Sequence, residues 1–335
     1  MNRIVVIFNG GTISMKVDPK IKAAVPSLTG EEIMHMVTGI EKHAEVISYN
    51  FSSFPSPHMT LEKMMELRAF TLKVLKEDAP DGVVITHGTD TLEETAFLFD
   101  LTMDTEVPIV FTGAMRSGSE LGYDGPANLA SAIVTASAKE SRGRGILVCL
   151  NGELNAAQEV TKTNSLSLNA FRTPSFGPLG MVDNNKVIYY RSNDVRQVHD
   201  VDQLETKVAL VKTVAGMDSS YLHFLVEQGV KGIVIEAFGR GNVPPQMVEG
   251  VKEALAKGIH VVIVSRCYEG RVFGSYGYEG GGKHLRNLGV IFGDTLPGQK
   301  ARIKLMVALS IYEDPKDVRE WFEKDLYLEE VDTIS

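Results

Sequence analysis

Two glycine-containing turns place alcohol side chains directly after apolar runs that are typical of strands. Gly10-Gly11-Thr12 follows the run 4–8, and Gly88-Thr89-Asp90-Thr91 follows the run 83–86. In an open parallel sheet, ligands bind beyond the carboxyl ends of the strands, where turns present backbone N–H groups and glycine allows close approach. The two turns therefore predict a binding site that contains Thr12, Thr89 and Asp90.

A purely local reading of the second turn remains open. Thr and Asp are strong N-cap residues, and Asp90-x-x-Glu93 resembles a capping arrangement at a helix start. Lys162 stands in the polar stretch Thr161-Lys-Thr-Asn164, which is typical of a solvated surface charge. If Lys162 reached Asp90, a Thr–Asp–Lys set would give a weak alcohol nucleophile a proton acceptor and an oriented charge partner. The spacing alone does not decide between these readings.

Other catalytic signatures are missing from the sequence. It contains no GxSxG elbow, no GxxxxGK[ST] phosphate loop and no HExxH motif. The two cysteines, Cys149 and Cys267, form no CxxC pair, and Cys149 lies in an apolar run typical of a packed thiol. His87 is better explained by packing or hydrogen bonding behind its turn than by a role as a base. We therefore expect no metal and no nucleotide cofactor.

The elements that would position these residues alternate between strands and helices, which predicts an α/β fold. The runs 4–8, 83–86, 109–111 and 146–150 are apolar on both faces, as buried parallel strands require, and helices are predicted near 60–77, 91–103 and 124–139. A second series has strands at 208–212, 232–237 and 261–265, with helices near 217–228, 244–257, 299–311 and 315–325. We expect a larger N-terminal domain with a mainly parallel sheet (1–190), a linker (191–207) and a smaller C-terminal α/β domain (208–335).

Length and composition fit this organisation. A chain of 335 residues corresponds to about two domains of ordinary size. The formal net charge of −9 argues against a nucleic-acid partner and against an anionic membrane surface. No run approaches the roughly 18 apolar residues that span a bilayer. The apolar stretch near the N-terminus is typical of a strand and lacks the features of a signal peptide, so a cytoplasmic location is expected.

Several segments together resemble the bacterial-type L-asparaginases. The two longest are Asn9-Gly-Gly-Thr-Ile13 and Ile85-Thr-His-Gly-Thr-Asp-Thr-Leu-Glu-Glu-Thr95. The resemblance continues in the family's order through five shorter segments: Thr112-Gly-Ala-Met-Arg116, Asp124-Gly-Pro-Ala-Asn128, Val160-Thr-Lys-Thr-Asn164, Phe176-Gly-Pro-Leu-Gly180 and Gln299-Lys-Ala-Arg302. It covers nearly the whole chain, which makes it far more specific than any single glycine motif.

The resemblance implies hydrolysis of the side-chain amide of L-asparagine to L-aspartate and ammonia without a cofactor. Thr12 would be the nucleophile, and Thr89, Asp90 and Lys162 would form a Thr–Asp–Lys triad. Thr89 and Asp90 would also contact the substrate, with Asp90 at the α-amino group. Ser56, in Ser52-Ser-Phe-Pro-Ser-Pro-His58, would hold the α-carboxylate, and main-chain groups around Ala114 would contact the leaving amide. A zwitterionic substrate needs such a set of one anion and several fixed donors.

The sequence departs from the family pattern at two places. The family carries a Tyr in a mobile lid shortly after the nucleophile, whereas residues 13–48 contain no Tyr. Pro57 stands where the family often has Gln. Family members complete the site with an acidic residue of a neighbouring subunit, and Glu279, with Asn242 nearby, is the candidate for it. The resemblance thus implies a homodimer or homotetramer with active sites between subunits.

Three alternatives to an L-asparaginase stay open. An enzyme that prefers glutamine or D-asparagine would differ only in pocket contacts, because one methylene is worth about 1–3 kcal/mol of discrimination. An amidotransferase subunit that makes ammonia for tRNA-dependent synthesis is expected to carry an extra N-terminal domain before the nucleophile turn. A catalytically inactive protein that senses Asn or Asp would bind without turnover, and an ammonia-release assay separates it from an enzyme.

Overall fold

The computed structural model describes residues 1–40, 44–193 and 196–324. The chain divides into two compact units, the first comprising Met1–Val198 and the second beginning at His199. The boundaries expected from the sequence remain predictions, since residues 194 and 195 of the expected linker and the last part of the expected C-terminal domain lie outside the described residues. Within the described residues, every helix is too short or too polar to cross a bilayer.

The described residues of the first unit form an eight-stranded sheet, two small hairpins and four α-helices. Its strands are β1 (Asn2–Asn9), β2 (Met15–Asp18), β3 (Ala23–Pro26), β4 (Ala44–Ser52), β5 (Gly82–Thr86), β6 (Ile109–Thr112), β7 (Ile146–Leu150), β8 (Glu153–Ala156), β9 (Thr161–Lys162), β10 (Phe171–Arg172), β11 (Gly180–Asp183) and β12 (Lys186–Tyr189). Its helices are α1 (Gly30–His35), α2 (Leu61–Glu77), α3 (Leu92–Thr102) and α4 (Gly125–Ser137).

The large sheet has the order β12-β11-β8-β7-β6-β5-β1-β4, and its five strands from β7 to β4 are parallel. Alternate residues of β1 pack on opposite faces: Ile4 and Val6 join the core that contains Leu129 of α4, while Val5 and Ile7 join the core that contains Leu67 of α2. Because both faces are covered, β1 must be apolar throughout, as the sequence predicted. Two small hairpins, β2–β3 and β9–β10, lie outside this sheet.

The second unit contains the four-stranded parallel sheet β13-β14-β15-β16. Its strands are β13 (Val208–Lys212), β14 (Gly232–Ala237), β15 (His260–Ser265) and β16 (Ile291–Phe292), and its helices are α5 (Ser220–Glu227), α6 (Val248–Ala256), α7 (Gly282–Leu288), α8 (Gly298–Ile311) and α9 (Pro315–Glu323). The helix predicted near 244–257 begins as a 3-10 turn, Pro245–Met247, before α6. The predicted α/β architecture, with a larger N-terminal and a smaller C-terminal part, is confirmed.

Candidate active site

The turn that contains Thr12 and the turn that contains Thr89 and Asp90 lie side by side because they follow neighbouring strands. β1 and β5 are parallel, with Phe8 opposite Thr86. Asn9 N then donates to Thr86 Oγ1 at 3.1 Å, which joins the two strand ends. Gly11 packs directly on Gly88, since a Cβ added to Gly11 would lie 2.4 Å from the Gly88 Cα. Only glycine fits there, and the contact brings the backbones of the two turns together.

Thr12 begins a 3-10 turn that extends to Ser14. Gly11 has φ +89°, a left-handed conformation that suits glycine, and its carbonyl accepts from Ser14 N at 2.9 Å. The Tyr123 hydroxyl donates to Ile13 O at 2.5 Å and so fastens the turn to the loop before α4. Burial raises the pKa of the Tyr123 phenol, which therefore stays protonated as a donor.

Thr89, Asp90 and Lys162 meet through a single ammonium group. Lys162 Nζ lies 2.7 Å from Asp90 Oδ1 and 2.8 Å from Thr89 Oγ1. Thr89 is only 6% exposed, whereas the Asp90 side chain is 59% exposed and the Lys162 side chain 16%. The ammonium is thus shared between a buried alcohol and a carboxylate that faces solvent. The reading of Lys162 as a lone solvated charge is wrong.

The capping reading of the second turn is also wrong. The N-cap residue of α3 is Thr91, and its side chain makes no cap hydrogen bond. Thr91 Oγ1 instead donates to Ser56 O at 3.1 Å. Glu93 accepts from Lys162 N at 3.2 Å. The polar side chains of this turn therefore make contacts across the fold.

His87 lies behind the turn, as expected from the sequence. It is 1% exposed, and its Nδ1 and Nε2 atoms lie 2.8 Å from Gly88 O and 2.9 Å from Thr95 Oγ1. A carbonyl oxygen only accepts, so Nδ1 carries the proton and Nε2 is free to accept from Thr95. Burial lowers the pKa of His87 to about 4, which keeps the ring neutral.

Ser56 lies against the same turn. Its Oγ accepts from Asp90 N at 3.2 Å, and a Cβ added to Gly88 would lie 2.5 Å from Ser56 Cβ. The Ser56 hydroxyl proton is not used in this contact and can be donated to a ligand. The structure therefore brings Ser56 to the turn that contains Thr89 and Asp90.

Ala114 is fully buried in the loop that follows β6. Asp124 holds this loop by accepting from Met115 N at 3.0 Å and from Arg116 N at 2.9 Å. Asn128 Nδ2 adds bonds to Gly113 O at 2.9 Å and to Asp124 Oδ2 at 3.0 Å. A Cβ added to Gly113 would lie 3.4 Å from Thr89 Cγ2, so the loop borders the Thr-Asp turn.

The two remaining candidates, Asn242 and Glu279, lie in the second unit. Asn242 follows β14, where its backbone bridges Phe238 and its Oδ1 accepts from Gly282 N at 3.2 Å. Glu279 is exposed, just before the buried Gly280. These contacts give Asn242 a role in holding the start of α7, and Glu279 is accessible to solvent in this chain.

Sequence reasoning missed the residues that support the turns. Asp124 and Asn128 were noted only as parts of a motif, Glu93 was read as a cap, and Tyr123 was not considered. Asp124 and Asn128 are four residues apart at a predicted helix start, which puts both side chains on one face of the helix. This spacing was the signal that could have identified them as a pair. No group of three or more His, Cys, Asp or Glu that could hold a metal occurs among the described residues.

Two family models together match most of the chain. The family model "Asparaginase, N-terminal" matches residues 3–195, and "Glutaminase/Asparaginase C-terminal domain" matches residues 207–322. The chain belongs to the asparaginase family. The resemblance inferred from the sequence motifs is confirmed, and so is the predicted enzyme class at the level of this family.

Individual asparaginase relatives match over nearly the whole chain. The L-asparaginase of Bacillus licheniformis is 35% identical over 93% of this chain and 97% of its own length. A glutaminase-asparaginase of Pseudomonas aeruginosa is 29% identical over 96% of this chain and 90% of its own. The crystal structure of a probable cytoplasmic L-asparaginase from Campylobacter jejuni has a TM-score of 0.86 and 32% identity, and the match covers 96% and 99% of the two chains.

Proposed function

We propose that this asparaginase-family enzyme hydrolyses L-asparagine to L-aspartate and ammonia. The observation that carries the proposal is the position of Lys162 Nζ, 2.8 Å from Thr89 Oγ1 and 2.7 Å from Asp90 Oδ1. Lys162 is 72 positions from Asp90 and 73 from Thr89 in the sequence, so the fold brings them into contact. An alcohol, a carboxylate and an ammonium in contact are the groups that an amide-hydrolysing site with an alcohol nucleophile requires.

In the proposed reaction, the Thr12 oxygen attacks the side-chain amide carbon as its proton passes to the Thr89–Asp90–Lys162 set. The new C–O bond forms, the C–N bond breaks, and the nitrogen takes up a proton and leaves as ammonia. Water then attacks the ester carbon, the bond to Thr12 breaks, and the Thr12 oxygen regains a proton. Lys162 places a positive charge beside the Thr89 oxygen, which lowers the free energy of negative charge there, and Asp90 holds the ammonium in place.

The surrounding groups fit a zwitterionic amino acid. The Asp90 carboxylate, with its side chain 59% exposed, is available to the α-ammonium group. The Ser56 hydroxyl proton is available to the α-carboxylate. The main chain at Ala114, held by Asp124 and Asn128, would contact the leaving amide. Groups fixed in this way before reaction stabilise developing charge without reorganisation.

Ammonia release from L-asparagine tests the proposal. Thr12→Ala and Thr89→Val should each lower kcat by about 10³-fold or more, because each removes a reacting hydroxyl. Thr71→Val is a matched control, since Thr71 is also buried and its hydroxyl donates to Leu67 O within α2. A wild-type kcat in Thr12→Ala would remove Thr12 from the mechanism. Absence of turnover in the wild-type protein would overturn the proposed activity itself.

Glutamine is the second candidate substrate, because the similar Pseudomonas protein is named a glutaminase-asparaginase. One methylene is worth about 1–3 kcal/mol of discrimination, so kcat/KM for the two amides should differ by about 10- to 200-fold if the pocket selects between them. We propose asparagine as the better substrate. A higher kcat/KM for glutamine would reverse that order.

Assembly and location complete the proposal. We propose a homodimer or homotetramer in which Glu279, with Asn242 nearby, contributes to the partner's site, and a cytoplasmic location, the word used for the similar Campylobacter enzyme. Hybrids of Glu279→Ala protein with Thr12→Ala protein should regain partial activity, because each hybrid contains one intact site. Hybrids confirmed by mass spectrometry that stay inactive would contradict a shared site.

A further inference from the structure

We propose that Glu93 is a positioning residue that holds Lys162 in reach of Thr89 and Asp90. It does so by accepting a hydrogen bond from the Lys162 main chain, at 3.2 Å from Lys162 N to Glu93 Oε1. The kinetic part of this inference rests on the proposed amide hydrolysis, whereas its structural part does not. Glu93 itself contacts no reacting atom in the proposed mechanism.

The strand that carries Lys162 has one edge that is not paired with β10, and its N–H group there needs an acceptor. β9 consists of two residues, and its only strand partner among the described residues is β10. Thr163 N donates to Ala170 O at 2.7 Å, on the β10 side. Successive N–H groups of a strand point to opposite edges, so Lys162 N faces away from β10. Glu93 occupies this edge and supplies the acceptor that a further strand would otherwise provide.

Glu93 is well placed to set the distance between Lys162 and the turn. It lies in the first turn of α3, and the residues that lead into α3 are Thr89, Asp90 and Thr91. The segment 89–93 thus holds Lys162 at two points, with Asp90 and Thr89 on the ammonium and Glu93 on the main chain. Because both its main chain and its ammonium group are held by the same segment, the backbone and the side chain of Lys162 are both restricted.

The environment of Glu93 argues against a merely stabilising role. The residue is 5% exposed, and its Oε2 accepts from no donor in the part of the chain that the structure describes. A buried carboxylate with one unpaired oxygen is unfavourable compared with an apolar side chain of similar size. The first turn of a helix favours negative charge there, which reduces the penalty. A residue that stabilises poorly but holds Lys162 is what a positioning role requires.

Two substitutions separate the acceptor from the charge. Glu93→Gln keeps an oxygen acceptor and loses the charge, so kcat for asparagine should stay within about fivefold of wild type. Glu93→Leu loses the acceptor, so kcat should fall by about 100-fold, a fall typical of a disturbed proton-transfer set, while KM changes by less than about threefold. The melting temperature of Glu93→Leu should not fall below that of wild type. If Glu93→Leu does not fold, Glu93→Asp, which keeps the charge and loses reach, should show the same loss of kcat.

Asp100→Asn is the matched control. Asp100 is a buried carboxylate near the other end of the same helix. It accepts a strand N–H, from Ile146 N at 3.0 Å, and pairs with Arg196 at 2.7 Å. Its substitution should lower the melting temperature and leave kcat of the folded enzyme within about twofold. Glu93 variants that behave like Asp100→Asn, with kcat kept and stability lost, would overturn the inference, as would equal losses of kcat in Glu93→Gln and Glu93→Leu.

A readout that does not depend on activity completes the test. Crystal structures of wild type and Glu93→Leu, or Glu93→Asp in its place, should show Lys162 Nζ moving from hydrogen-bond distance of Asp90 Oδ1 to beyond it. An unchanged distance would overturn the inference. If the wild-type enzyme releases no ammonia, the proposed function fails, but this distance still decides whether Glu93 positions Lys162.

Discussion

The buried ring of His87 makes a quantitative prediction about acid stability. Its pKa is lowered to about 4 by burial, from an ordinary value of 6.5. The folded protein therefore keeps the ring neutral where the unfolded chain binds a proton. Stability from this residue is fully present above pH 6.5 and is lost as the pH falls towards 4. A difference of about 2.5 pKa units corresponds to about 3 kcal/mol, most of it lost between pH 7.5 and pH 4.5.

His87→Asn is the substitution that isolates this effect. Asn does not titrate, and its amide can still donate towards Gly88 O in place of Nδ1. All other titrating groups are shared with the wild type, so their contribution cancels when the two pH dependences are subtracted. Between pH 7.5 and 4.5 the wild type should lose about 2–3 kcal/mol more unfolding free energy than the variant. Thr71→Val, at a buried side chain that carries no titratable group, is the control and should keep the wild-type pH dependence.

The measurement must report on the unit that contains His87. Trp321, the single tryptophan, lies in the second unit, so its fluorescence follows the wrong part of the chain. Native-state hydrogen exchange of β5 peptides in moderate urea, corrected for intrinsic exchange at each pH, reports the opening free energy of the first unit. Equal pH dependence in wild type and His87→Asn would refute the argument that the ring is held neutral by burial.

Three other substitutions test the remaining contacts. Lys162→Met should lower kcat by about 10²- to 10⁴-fold with little change in KM, because its role is charge organisation, and steady-state kinetics with asparagine would detect a contrary pure KM effect. Gly11→Ala should lower the free energy of unfolding by more than about 2 kcal/mol, because the added Cβ would clash with the Gly88 backbone. Gly39→Ala, with a similar φ of +81° and no described atom within 4 Å of the added Cβ, should lower it by only about 1 kcal/mol in urea unfolding. Burial lowers the pKa of Lys304 to about 7, so Lys304→Met should raise the free energy of unfolding at pH 7 by roughly a few kcal/mol, and this gain should fade as the pH rises towards 10. The fluorescence of Trp321, which packs against Lys304, reports the unfolding. A gain that is the same at pH 7 and pH 10 would contradict the argument.

The buried strands were predictable because their burial is uniform. β1, β5, β6 and β7 are covered on both faces, which forces unbroken apolar runs that a sequence displays directly. β4 was missed although it is nine residues long. It lies at the edge of the sheet and carries polar residues on its exposed positions, so its sequence resembles a loop. The β2–β3 hairpin was missed because each of its strands has four residues and no fully buried position, so neither shows a buried apolar run.

The site divides in the same way. Thr12 and Thr89 could be placed together from the sequence, since the carboxyl ends of parallel strands meet at one edge and each alcohol follows a glycine there. Lys162 could not be placed by that reasoning, because β9 has two residues and no periodicity that a pattern could reveal. Only the family resemblance brought Lys162 to Asp90, and the geometry of the fold agrees with it.

Glu93 shows why local rules fail at such a site. A carboxylate three residues after Asp90 at a helix start has a ready local explanation, because capping boxes have this spacing. The helix start offers N–H donors to the Glu93 carboxylate. Lys162 N, which faces away from β10 at the edge of a two-residue strand, competes with them for Glu93 Oε1. The long-range bond prevails where a short strand has no other described strand on that side. A local signal that the fold overrides is therefore a reason to examine the residue for a role in the site.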